Sequence, residues 1–210
     1  MLACEVLSLL LSELVDVTRD SGRGFATYIS DVISRCKLQK TILHCLLASV
    51  YDAREKAKTK TQNGPFTEAI VSFNQQQATM LVNNNMQIRL LGLVRMIIVL
   101  EEQIRKSRND PEMGLPPEWD ARGLHFQPVL GAVKYLPSRP LVHQPMFLSA
   151  VMAALKQQQQ CGMHEHIVST VTCVLPCLGR ALCHTLVCVV LQLCKNLDVL
   201  ASFYSGQPQK

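Results

Sequence analysis

Cys161, His164, His166, Cys173, Cys177, Cys183, His184, Cys188 and Cys194 crowd one short stretch of the chain. Thiolates and imidazoles bind zinc, and a cysteine beside a histidine can act as a nucleophile. Zinc sites are commonly written as two closely spaced ligands followed by a second close pair, and no Cys-x-x-Cys occurs here. Cys173 and Cys177 share a helix face at four-residue spacing, as do His184 and Cys188, so a metal would need two helices facing each other. A catalytic thiolate needs an exposed, electropositive setting. The runs around these residues are apolar and helical, where free cysteine behaves as a small hydrophobe. The reading is that most of these cysteines fill the core, with no metal ligand, no catalytic residue and no cofactor assigned. A metal- or thiol-dependent helical enzyme built on residues 161–194 is the alternative.

The remaining candidates are fewer. His125 and His143 fall in a proline-rich stretch and read as surface or turn residues rather than general bases. Trp119, the single tryptophan, reads as a plug holding that stretch on the helices, with partner anchoring as its other use. Gln75-Gln76-Gln77 reads as a solvated helix face. Arg105, Lys106 and Arg108 could meet acidic headgroups, but Asp110 and Glu112 dilute them, so a solvated helix end is expected. No phosphate loop or nucleophile elbow is present, and Gly22-Arg23-Gly24 is a turn with no strand before it.

The elements that would position these residues are helices. Ala3, Val6, Leu7, Leu10, Leu14 and Val17 recur at three- and four-residue steps and predict a first amphipathic helix with that face buried. Asp20 to Gly24 break it. Phe25, Tyr28, Ile29, Val32 and Ile33 give a second face; Leu38, Ile42, Cys45 and Leu46 begin a third helix ending in lysines. Asn63-Gly64-Pro65 is a breaker, and Thr67 is placed to cap a glutamine-rich fourth helix carrying Ile70, Val71, Phe73 and Leu81. Asn83-Asn84-Asn85 is expected to interrupt it before a fifth helix over 87–106. That helix is apolar nearly all round from Leu90 to Leu100, a pattern that needs burial on several sides. Glu101–Arg105 and Glu102–Lys106 are favourable four-residue pairs at its end.

Seven of the ten prolines then fall between Pro111 and Pro145, which excludes regular helix there. Trp119, Leu124, Phe126, Val129 and Tyr135 make that stretch too apolar for a loose linker, so an ordered connector is expected, with 129–136 a short helix or extended piece. Met146, Phe147, Ala150, Val151, Ala154 and Leu155 form the next helix face, ending in a frayed run Gln157 to Gln160. Ile167, Val171, Val174 and Leu175 form another, stopped near Pro176 and Gly179. A last helix covers about 181–203, and its apolar middle from Leu186 to Leu193 also calls for neighbours on two sides.

Composition narrows the function classes. Hydrophobic residues are 48% and charged residues 18%, enough apolar surface for a packed core. The net charge of +5 is scattered over helix ends, and aromatics are only 5%, so no nucleic-acid partner is expected. Nine cysteines cannot all pair, which with the size of the core points to a reducing, cytosolic setting. Glu5, Glu13 and Asp16 interrupt the apolar start, so no leader is read there. The uncharged run from Ala181 to Cys194 is short of the roughly twenty residues of a membrane span, so none is expected.

Three runs carry a resemblance. QPMFLSAVMAALKQQQQCGMHEHIVSTVTCVLPCLGRALCHTLVCVVLQLCKNLDVLAS, beginning at Gln144, resembles a segment from the C-terminal half of the Dopey family. SDVISRCKLQKTILHCLLASVYDAREK and LLGLVRMIIVLEEQI resemble the helices that precede it, in the same order. The resemblance implies a piece of a very large helical scaffold, cytosolic and peripherally associated with Golgi, trans-Golgi and endosome membranes. It implies protein partners in vesicle traffic: a large scaffold related to Arf exchange factors and, in fungi, an aminophospholipid flippase. It supplies no residue with a role in chemistry, and partner-binding residues stay unassigned.

The expectation is therefore an all-α chain, an α-solenoid or HEAT-like stack of antiparallel helices. Residues 1–108 form an N-terminal helical layer, 109–145 a Pro-rich ordered connector, 146–204 a C-terminal helical layer and 205–210 a frayed tail. The function expected is a non-catalytic interaction scaffold; besides the enzyme, the other alternative is a truncated product without function.

Overall fold

The computed structural model describes residues 2–62, 72–110, 135–137, 139–157 and 161–205, with side chains described outside 52–83 and Cys161. Thr67, Trp119, His125 and most of the proline-rich stretch lie outside the described residues, as do the side chains of Gln75, Gln76 and Gln77. Among the described residues there are seven α-helices and no strand: α1 Leu2–Asp20, α2 Arg23–Arg35, α3 Leu38–Gln62, α4 Ser72–Arg108, α5 Pro145–Leu155, α6 Cys161–Val174 and α7 Leu182–Tyr204. Single 3₁₀ turns lie at Leu141–His143, Leu175–Cys177 and Gly179–Ala181. The architecture is all-α and helical-repeat-like, as the periodicity predicts.

Helix α4 is the axis. It packs against α1, α2, α3 and α6, while α5 lies against α3, α6 and α7. Leu90, Leu91, Leu93, Val94, Ile97, Ile98 and Leu100 are all buried, which meets the demand of an all-round apolar run. Asn83-Asn84-Asn85 does not interrupt this helix; the chain runs as one helix from Ser72 to Arg108. Asparagine is only a mild helix opponent, and tertiary packing outweighs a propensity difference well under 1 kcal/mol per residue. The real stop is Asn109, whose left-handed φ of 55° lets its N–H reach Lys106 and lets Asp110 N–H reach Arg105.

The first helix is turned from the expected face. Leu11, Val15 and Thr18 are buried and Cys4, Leu7 and Leu14 pack partly against the core, whereas Val6, Leu10 and Val17 point outward. The apolar residues of α1 cover more than one face, and α4 takes only one of them. A surface ion pair between Arg89 and Glu5, at 2.8 Å, bridges the two helices.

One hydrophobic cluster runs from Leu11 through Phe147 to Val189, so helices before and after the proline-rich stretch share a core. Side-chain amides tie the layers by donating to backbone carbonyls. Gln87 reaches Ser49 at 3.0 Å, Gln157 reaches Val50 at 2.7 Å and Asn196 reaches Leu155 at 2.8 Å. Gln157 is thus anchored rather than frayed.

Candidate functional site

The residues singled out in the 161–194 stretch do not converge. Cys173, Cys183 and Cys194 are exposed, Cys177 is half-buried and Cys188 alone of these is buried. The expectation that most late cysteines fill the core is therefore wrong. It treated α7 as a core helix, but only Thr185, Cys188, Val189 and Gln192 of that helix are buried. Among the described residues no group of three or more His, Cys, Asp or Glu side chains is placed to hold a metal. His184 Nε2 lies 4.0 Å from Cys188 Sγ, the four-residue neighbour the spacing implies. Burial pushes the Cys188 thiol up, and burial followed by the Glu102 carboxylate pushes up Cys177. A nucleophilic cysteine needs the opposite shift.

Helix α7 also differs from its reading as a short apolar run. With the turn before it, Gly179–Tyr204 is long and apolar enough to cross a membrane by length and composition. Arg180, Lys195 and Asp198 are the charged residues within it. Its outward face carries Leu186, Val190, Leu191, Leu197, Leu200 and Phe203.

What the structure does bring together lies where α3, α4 and the start of α5 meet. Gln39 of α3 donates through Nε2 to Glu101 Oε1 at 2.7 Å and to the Arg139 carbonyl at 3.0 Å. Its Oε1 accepts the Tyr135 hydroxyl. Glu101 Oε2 accepts the Leu141 N–H at 2.7 Å. Gln144, at the N-cap of α5, donates to the Leu136 carbonyl at 2.7 Å and accepts the Leu136 N–H at 2.9 Å. Four side chains from three stretches thus satisfy one another and the backbone around 135–144. This is how an irregular segment can lie over a core without leaving polar groups unpaired.

Burial of its carboxyl group pushes Glu101 up to about 7; the bonds from Leu141 and Gln39 pull the other way and are outweighed. Glu102, one residue on, is half-buried against two cations and behaves oppositely. The Arg105 hydrogen bonds hold it below the ordinary carboxylate range. Arg105 grips Glu102 through Nε and Nη2, both at 2.8 Å, and Lys106 lies 3.4 Å away. The expected Glu102–Lys106 pair is present, whereas Glu101 uses its oxygens on Gln39 and Leu141.

Above this knot opens a cleft of about 610 Å³. Its described lining includes Lys37, Arg105, Lys106, Arg108, Arg139 and Arg180 against Glu101, Glu102 and Asp110. Ile33, Ile98, Ile104, Val142 and Leu178 form its buried floor, and Tyr135, Pro140, Pro176 and Cys177 its more exposed apolar wall. Arg105 and Arg108 are half-buried members of this wall, with Arg108 paired to Asp110 at 2.9 Å, rather than the plain solvated helix end expected. His143 also lines the cleft, buried in its 3₁₀ turn, so it is a turn residue but not a surface one. Sequence reasoning missed Gln39, Tyr135 and Gln144. Their one visible signal was polarity inside or beside apolar runs.

Helices packed around α4 with no strand among the described residues are the build of a helical-repeat domain. The profile of the DOP1 TPR domain matches residues 1–210. The chain is 37% identical over 210 residues to Protein DOP1 homolog of Drosophila melanogaster. It is 34% identical to Protein DOP1B of Xenopus laevis and 32% to Protein DOP1B of Mus musculus. Each alignment covers 98% of this chain, which spans only 8% of the fly protein and 9% of the other two. No solved structure matches. The chain belongs to the DOP1, or Dopey, family.

Proposed function

We propose that this chain is one layer of a non-catalytic scaffold working in membrane traffic between Golgi and endosomes. The supporting observation is that its two outermost helices each keep a second apolar face. On α1 that face is Leu2, Val6, Leu9 and Leu10; on α7 it is Leu186, Val190, Leu197 and Phe203, with Leu197 63% exposed. Contiguous apolar surface of this kind is what inner layers of a stacked-helix protein present to the next layer. The small share of its relatives that the chain spans fits a layer of a longer scaffold. On this reading the protein is cytosolic and peripheral on Golgi, trans-Golgi and endosome membranes. Its partners are a large scaffold related to Arf exchange factors and a phospholipid flippase, with no nucleic acid.

The test is to introduce Val190→Glu with Leu197→Glu into a full-length family member. Recruitment of the Arf-exchange-related scaffold to Golgi membranes should fall sharply, while the same pair leaves the 210-residue chain folded. Unchanged recruitment would remove α7 from the scaffold surface.

A further inference from the structure

The cleft over the polar knot is not absorbed by the stacking faces. It is set among α2, α3, α4, the segment around Arg139 and the turn before α7. We propose that it docks an acidic, partly apolar peptide segment of a partner protein. The inference deepens the scaffold reading and rests on it.

Charge is the first argument. Six cations line the cleft against three carboxylates among the described residues, and one of the three, Glu101, sits inside the knot. Glu102 is already matched by Arg105 and Lys106, and Asp110 by Arg108. Lys37 and Arg180, exposed and outside those pairs, leave the described lining net positive, so an incoming carboxylate-rich chain meets complementary charge.

Shape and distribution are the second. A volume of about 610 Å³ lies within the roughly 300–1,000 Å³ of ligand clefts and exceeds what a lone ion fills. The cations come from four separate stretches: Lys37 between α2 and α3, three on α4, Arg139, and Arg180 before α7. A compact phosphate is usually held by donors converging on one point. An extended segment matches charges spread along a wall, and its apolar side chains match Tyr135, Pro140 and Pro176, lining residues left half-buried or exposed. The backbone adds a third observation. Lys37 sits in the left-handed region with φ 51°, held by its N–H bond to Ser34 at 3.1 Å. That conformation is costly for lysine and suits glycine, yet the position carries a cation facing the cleft.

The test pans a random-peptide display library against the 210-residue chain and measures the selected peptides by fluorescence anisotropy. Selected sequences should be rich in Asp and Glu with interspersed Leu, Ile or Phe, and should bind less tightly as salt rises. Lys37→Gly removes one cation while relieving its backbone, and Arg180→Glu reverses an exposed one. Together they should weaken binding by about tenfold or more at a melting temperature equal to or above that of the parent chain. Inorganic phosphate at millimolar concentration should not compete. The proposal is overturned if no acidic consensus emerges or if the two substitutions leave affinity unchanged. It is overturned equally if phosphatidylserine vesicles bind through the same cations while no acidic peptide does. The scaffold reading is tested on α7, so either can fail alone.

Discussion

Helices α4 and α7 have similar text and opposite fates. Both carry long apolar runs, Leu90 to Leu100 in one and Leu186 to Leu193 in the other, and both patterns call for neighbours on two sides. In α4 the neighbours are present: Val94 and Ile97 are completely buried among α1, α2, α3 and α6. In α7 one face meets α5, and Phe203 at its far end is 78% exposed. An apolar run therefore states how much surface must be covered, and the covering chain need not be nearby in sequence.

The sharpest way to break this comparison is to truncate equivalent positions. Ile97→Ala should cost about 2–5 kcal/mol in urea unfolding, because it opens a cavity in a rigid core. Leu197→Ala should change stability by no more than about 0.5 kcal/mol in the same chain. Equal losses would mean that α7 is as enclosed as α4.

The next effect is in pH. Glu101 has its folded pKa raised from 4.5 to about 7, so the folded state binds more protons than the unfolded chain between those values. Stability should fall as pH rises through that window, by up to about 3 kcal/mol, and level off above it. Glu102 has the opposite shift, so its contribution is fully present above pH 4.5 and is lost only as pH falls below that value, outside the window. Glu101→Gln should flatten the fall between pH 4.5 and 7, and unfolding curves across pH measure it. A slope that survives the substitution would remove Glu101 as its source.

Gln144→Ala should cost about 1–3 kcal/mol, since it strips the Leu136 N–H and carbonyl of their partner in the knot. Gln192→Ala, on α7, should cost less, because its bond at 2.9 Å goes to Asn196 on the same helix. The smallest effect leaves stability untouched. Under thiol labelling, Cys183 and Cys194 should react rapidly in the folded protein and Cys188 slowly, since Cys188 is 6% exposed and its thiol is pushed up by burial. Rapid labelling of Cys188 would show that α7 does not rest on α5.

Much of the architecture was readable before any coordinates. The α5 face Met146, Phe147, Ala150, Val151, Ala154 and Leu155 is buried as its spacing requires. The stop near Pro176 and Gly179 lies where the 3₁₀ turns fall. The candidate site was far less readable. Gln39, Glu101, Tyr135 and Gln144 are separated by up to 105 residues, and each is an ordinary polar residue with no spacing rule linking it to the others. The dense cysteines and histidines were the more visible pattern, and their density means little once most of α7 faces away from the core.

The sequence alone determined that this chain is helical, where most helices begin and end, and which family its text resembles. Those are local properties: backbone hydrogen bonds within a helix join residues four apart, and apolar spacing repeats every three or four. Only the tertiary structure decided which face of α1 turns inward and that α7 is left half uncovered. It alone showed that desolvation governs Glu101 while Arg105 and Lys106 govern Glu102, and that scattered cations share one cleft. Each of these depends on which distant helix arrives to exclude water, and free energy of burial is indifferent to distance along the chain.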